Sequence, residues 1–130
     1  MREIKFRGKC EEFDKWVYGD LSRDKYTKEY AILVNRDGFF VEKESIGQFT
    51  GLLDKFGSPI YEGDIVKIKS GEEATVVFDT VRFVTEGTSN TSTQTGWYVE
   101  IENGCMYALD EENLYCQIVG NTFDKKTTLI

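Results

Sequence analysis

Apolar and polar residues alternate along most of the chain, the spacing expected of strands that bury one face. Ile4 and Phe6 alternate with Glu3, Lys5 and Arg7. The run over residues 13–21 sets Trp16 and Tyr18 on one face. Residues 30–34, then Asn35-Arg-Asp-Gly38, then Phe39-Phe-Val41 predict a β-hairpin with Gly38 at positive φ. Ile65, Val66 and Ile68 begin a further strand. Residues 74–84 are long enough for a bent strand, or for a hairpin turning near Asp79-Thr80. Residues 97–101 and 115–119 complete the set. A turn of helix is expected only over 109–114, with Asp110 as its cap, and over 42–46.

Composition supports that reading. Val, Ile and Thr number 31 and the aromatics 18, against three Ala and seven Leu. Such a population suits pleated, half-buried surfaces and is poor in strong helix formers. The expected fold class is mostly β. The turn cluster Asp54-Lys-Phe-Gly-Ser-Pro59 marks a boundary between an N-terminal lobe over 1–57 and a C-terminal lobe over 58–130. At 130 residues the two form one compact unit. Residues 86–96 carry no apolar side chain, so a mobile hairpin loop is expected there.

Charge and chemistry narrow the function. The chain has no His, which removes imidazole nucleophile relays, His-ligated zinc and His proton shuttles. Cys10, Cys105 and Cys116 lack C-x-x-C spacing and are expected as core thiols in a reducing cytoplasm. Neither a signal peptide nor an apolar membrane span is legible. Residues 1–69 carry 13 basic and 13 acidic side chains; residues 70–130 carry 3 and 10, so the whole net charge of −7 lies there. Such a surface repels nucleic-acid phosphates and suits either solubility or docking of a basic protein. Asp110, Glu111 and Glu112 are the candidate acidic docking face. Asn35-x-Asp-Gly38 with Glu44 has part of an EF-hand spacing, but its first ligand position is Leu33, and a hairpin turn accounts for it better. No catalytic residue, metal ligand or cofactor site is singled out.

The stretch Ile60-Tyr-Glu-Gly-Asp-Ile-Val-Lys67 is how a tight turn feeds the first strand of a small SH3-like or OB-type barrel. It also belongs to an ordered series of motifs. Arg2-Glu-Ile-Lys-Phe-Arg-Gly-Lys9, Trp16-Val-Tyr-Gly19, Ile46-Gly-Gln-Phe-Thr-Gly-Leu52 with Asp54-Lys55, Ile60-Tyr-Glu-Gly-Asp-Ile-Val66 and Ile118-Val-Gly-Asn121 together resemble the YopX protein family. The resemblance runs from Arg2 to the C-terminus. It implies a small β-rich protein encoded by phages, prophages and mobile elements, with an N-terminal β lobe followed by a barrel-like one. It brings no catalytic residues with it. Phe56-Gly-Ser-Pro59 departs from the family's polar turn, and residues 86–96 look like a local insertion.

Trp16, Tyr18, Phe49 and Tyr61 are expected to form an aromatic seam between the lobes. Gln48, Tyr61, Glu62 and Asp64 have two readings: they satisfy buried backbone groups at turns, or they line a binding groove at the lobe junction. The leading functional expectation is a non-enzymatic, cytoplasmic phage accessory protein. It would bind a protein, either itself as a homo-oligomer or a host factor. One alternative is a nucleic-acid binder using Arg2, Lys5, Arg7 and Lys9 with Trp16 and Tyr18 as stacking platforms, which the negative charge opposes. The other is a carboxylate-based, metal-assisted hydrolase.

Overall fold

In the computed structural model, which describes residues 5–109 and 116–127, the alternating segments form two antiparallel sheets. The first contains β1 (Phe6–Cys10), β2 (Lys15–Arg23), β3 (Tyr30–Val34), β4 (Asp37–Phe40), β5 (Gly47–Leu53) and β6 (Pro59–Tyr61), with a 3-10 turn at Lys43–Ser45. Its spatial order is β4-β3-β2-β1-β5-β6. The second contains β7 (Asp64–Lys67), β8 (Glu73–Val84), β9 (Thr91–Ile101), β10 (Met106–Ala108) and β11 (Gln117–Asn121), ordered β10-β9-β8-β7-β11. A short helix, α1 (Thr122–Thr127), follows β11. The chain is mostly β, as its alternation predicts. It passes from one sheet to the other at Glu62-Gly63, since β6 still pairs with β5. No helix among the described residues is long and apolar enough to cross a membrane.

Several local expectations need correction. The β3–β4 hairpin turns at Asn35-Arg36, and Asn35 carries the positive φ of 59°. Asn tolerates the left-handed region, so Gly38 is free to sit within β4 opposite Leu33. Residues 74–84 do not turn at Asp79-Thr80: they form part of one continuous strand paired with β9 from Ala74 to Val84. That pairing draws Thr91 to Gly96 into β9, leaving only 85–90 as loop where an eleven-residue loop was expected. Thr is at home in a strand even without a core to cover. Of the three thiols, Cys10 and Cys116 are buried but Cys105 is exposed in the β9–β10 turn. The expected turn of helix over 42–46 is the 3-10 turn, whereas residues 110–114 lie outside the described residues.

Each sheet has its own core. Cys10, Val17, Ile32 and Val41 form the first, with Phe6, Leu21 and Ile46 packed against it. The larger second core joins Val66, Ala74, Val76, Val99 and Ile101 to Leu109 and Cys116. Ile60 of β6 is fully buried in this second core although its strand pairs with the first sheet. Fully burying an Ile is worth about 1.5–3 kcal/mol, so this one side chain fastens the sheets together. The turn at residues 54–58 adds a polar fastening. Asp54 Oδ1 accepts the Phe56 and Ser58 amides at 2.9 Å, and its Oδ2 accepts the Ile118 amide of β11 at 3.1 Å.

The β2–β3 pair depends on a missing side chain. A Cβ at Gly19 would collide with the Leu33 carbonyl, a backbone atom held by the β2–β3 ladder. Gly19→Ala is expected to destabilise the protein by about 1–3 kcal/mol. Gly96→Ala, which meets open space, should shift stability by less than about 0.5 kcal/mol. Urea midpoints of the two variants make the comparison; equal midpoints would remove the close approach as a constraint.

Candidate functional site at the sheet junction

Arg7 lies in β1, where both faces of the strand are covered, and its side chain reaches Asp64 at the start of β7. The Arg7 Nη1 to Asp64 Oδ1 distance is 2.7 Å, with the two side chains 9% and 2% exposed. Asp64 Oδ2 also accepts the Tyr61 amide at 2.8 Å, closing the Tyr61–Asp64 turn. Arg7 Nη2 donates to the Glu62 carbonyl at 3.4 Å. Its guanidinium lies 4.7 Å from the Trp16 ring centroid and 5.1 Å from that of Tyr61. Gly47 lets the Glu62 carbonyl come this close, because a Cβ there would strike it. Arg7 Nε is buried and has no acceptor among the described residues. Burial pushes the Asp64 carboxyl above the ordinary carboxylate value, against the pull of Arg7 and the Tyr61 amide. The folded state therefore holds this proton more tightly than the unfolded chain. The group's contribution to stability falls as pH rises from the ordinary value of 3.8 through its raised one.

A second cluster anchors α1. Asn121 Oδ1 accepts the Asp124 amide at 2.8 Å, the spacing of an N-cap on the third helical residue. Asp124 Oδ2 in turn accepts Asn121 Nδ2 at 3.0 Å and Trp16 Nε1 at 3.1 Å. Lys9 Nζ stands 3.5 Å from Asp124 Oδ1, and Phe123 meets Trp16 edge-on at 6.0 Å. Burial pushes the Asp124 carboxyl up, but the bonds from Asn121 and Trp16 and the Lys9 charge outweigh it, so the net shift is downward. Its stabilising contribution is complete above the ordinary value of 3.8 and is lost as pH falls through the lowered one.

Between these clusters and β8 lies a cleft of about 450 Å³. Arg7, Trp16 and Phe123 line it, as do three carboxylate residues, Glu44, Glu62 and Asp79. Of the groove residues expected from sequence, Glu62 alone lines this cleft. Tyr61 and Asp64 are buried at 3% and 2% exposure. Gln48 sits on β5 opposite Phe6, where its carbonyl accepts the Glu62 amide. Asp110, Glu111 and Glu112 lie outside the described residues. The aromatic seam is present in part: Tyr61 packs on Tyr18 and Phe49 at 5.4 and 5.5 Å, while Trp16 turns to Phe123. Arg7 and Lys9, the centre of the basic strand, are both engaged by carboxylates. Asp124 was missed by sequence reasoning, although Asn121-x-x-Asp124 has helix-start spacing. Among the described residues no group of three or more Cys, Asp and Glu side chains is arranged to hold a metal ion.

A family model described as YopX protein matches residues 5–129. No curated protein matches the chain.

Removing one partner of a buried pair strands the other charge. Arg7→Met or Asp64→Leu alone is therefore expected to cost about 3–5 kcal/mol, and the two together less than the sum of the single changes. Urea denaturation tests this, and additive losses would show that the pair acts as two independent groups. For the helix anchor, the stability difference between the wild type and Asp124→Ala should be full above about pH 4 and shrink on acidification. A difference that stays constant down to about pH 2 would contradict the lowered carboxyl.

Proposed function

The chain belongs to the YopX protein family, and from that premise we propose that it is a phage- or prophage-encoded accessory protein. It works by binding another protein in the bacterial cytoplasm, without catalysis. One observation carries the reading. Across residues 70–109 the acidic side chains Glu72, Glu73, Asp79, Glu86, Glu100 and Glu102 are all exposed, against the single basic Arg82. In the first lobe, by contrast, Arg7 and Lys9 are spent on internal carboxylates. An outward face of one sign attracts basic partners, repels nucleic acid and steers encounter more than it adds affinity. Asp110, Glu111 and Glu112 extend the same run of charge in the sequence. The free thiols Cys10, Cys105 and Cys116 agree with a reducing compartment.

Capture from bacterial host lysate by the tagged protein, at about 0.1 M salt with and without nuclease, tests the reading where surface charges still attract over roughly 10 Å. A stoichiometric protein that survives nuclease and is lost when Asp110, Glu111 and Glu112 are changed to Lys is the expected result. Recovery of bait alone, or of material that nuclease removes, would overturn it.

A further inference from the structure

We infer that the outer edge of β8, where it passes the junction cleft, accepts an extended peptide bearing Lys or Arg by strand addition. This rests on the protein-binding reading and names the kind of segment bound. β7 covers that edge only at residues 73–75 of β8. Just beyond, the Gly63 amide donates to the Val76 carbonyl at 2.9 Å. Backbone groups of alternate residues face the same side of a strand, so those of Phe78, Thr80 and Arg82 face outward with Val76. Among the described residues no strand pairs with them, although the Thr80 amide donates to the neighbouring Asp79 Oδ1 at 2.7 Å. Edges left open are usually blunted by Pro, by bulges or by dense charge. Here residues 78–84 read Phe-Asp-Thr-Val-Arg-Phe-Val, with two charges and no Pro. Their register with β9 is unbroken.

The cleft lies where this edge begins, with residues 75–79 among those lining it. Glu44, Glu62 and Asp79 give it three carboxylates, while the one cation lining it, Arg7, is already neutralised by Asp64. A Lys or Arg side chain of an added strand is drawn there by this charge. Main-chain pairing then gives affinity and the carboxylates give the preference for basic side chains. A second copy of the chain is a poorer occupant, since it would set the same carboxylates against each other.

Two capped eight-residue Thr/Val peptides serve as probes, one with Lys at alternate positions and one with Glu, titrated by amide NMR at about 0.05 M salt, where screening is weak. The Lys peptide is expected to bind on the order of tenfold more tightly than the Glu peptide, with the amide shifts centred on Phe78, Thr80 and Arg82. Arg82→Pro removes an outward N–H and leaves the β9 ladder intact, so it should lower affinity on the order of tenfold. Glu62→Gln with Asp79→Asn should erase the preference for Lys. An unchanged urea midpoint in each variant shows that the fold is retained. Equal affinity for both peptides, binding to neither, or indifference to these variants would overturn the inference. A lysate partner retained by an Arg82→Pro bait would overturn this site while leaving the protein-binding reading standing. Loss of every lysate partner from the wild-type bait would instead remove that reading.

Discussion

A cation buried between two sheets is the constraint on which this structure turns. Arg7 comes from the first sheet and Asp64 from the second, and neither charge has water to fall back on. Desolvating two ions costs several kcal/mol each, so the pair is tolerable only with near-complete hydrogen bonding and good geometry. The surroundings answer most of that demand, leaving Arg7 Nε without an acceptor among the described residues. The Tyr61 amide satisfies the second carboxylate oxygen, the Glu62 carbonyl takes one guanidinium N–H, and two aromatic rings lie within 5.1 Å of the guanidinium carbon. These groups have good geometry only in one relative placement of the sheets, so the pair fixes orientation more than it adds stability.

Other fastenings act on the same seam by different physics. Ile60 contributes apolar burial in the second core, Asp54 links the 54–58 turn to β11, and Asp124 draws α1 onto Trp16 and Lys9. The outcome is a division of charge. Cations of β1 are consumed inside the seam, while Glu73, Asp79 and Glu100 of β8 and β9 face out. Composition sets the excess of acid, and the pairing of Arg7 and Lys9 with one carboxylate each leaves that excess unchanged. The cleft inherits that sign through Glu44, Glu62 and Asp79, and β8 carries its outer backbone past it.

Much of this was legible from alternation and turn chemistry. The runs at 30–34 and 65–68, the Tyr61–Asp64 turn and the 3-10 turn at Lys43–Ser45 follow local rules of side-chain period and backbone hydrogen bonding. Thr91–Gly96 did not follow them, because a strand that covers no core shows no apolar alternation and is specified by its partner β8. β5 was hidden for a related reason. Its Gly-rich stretch has a bulge, with the register shifting between Phe49 and Leu53, which breaks the period. Asn35 took the positive φ expected of Gly38 because strand register, set by the pairing of Val34 with Asp37, decides where the turn falls.

By itself the sequence determined that the chain is β-rich, that it folds around aromatic and β-branched residues, and that its acid excess lies in the second half. These are properties of side-chain period and composition, which need no knowledge of what lies opposite. Only the tertiary structure decided that Arg7 meets Asp64, 57 positions further along the chain, that Asp124 reaches Trp16, and that Glu44, Glu62 and Asp79 share one cleft. Such pairings join residues far apart in the chain. Their partners are set by how the two sheets pack, which no local pattern encodes.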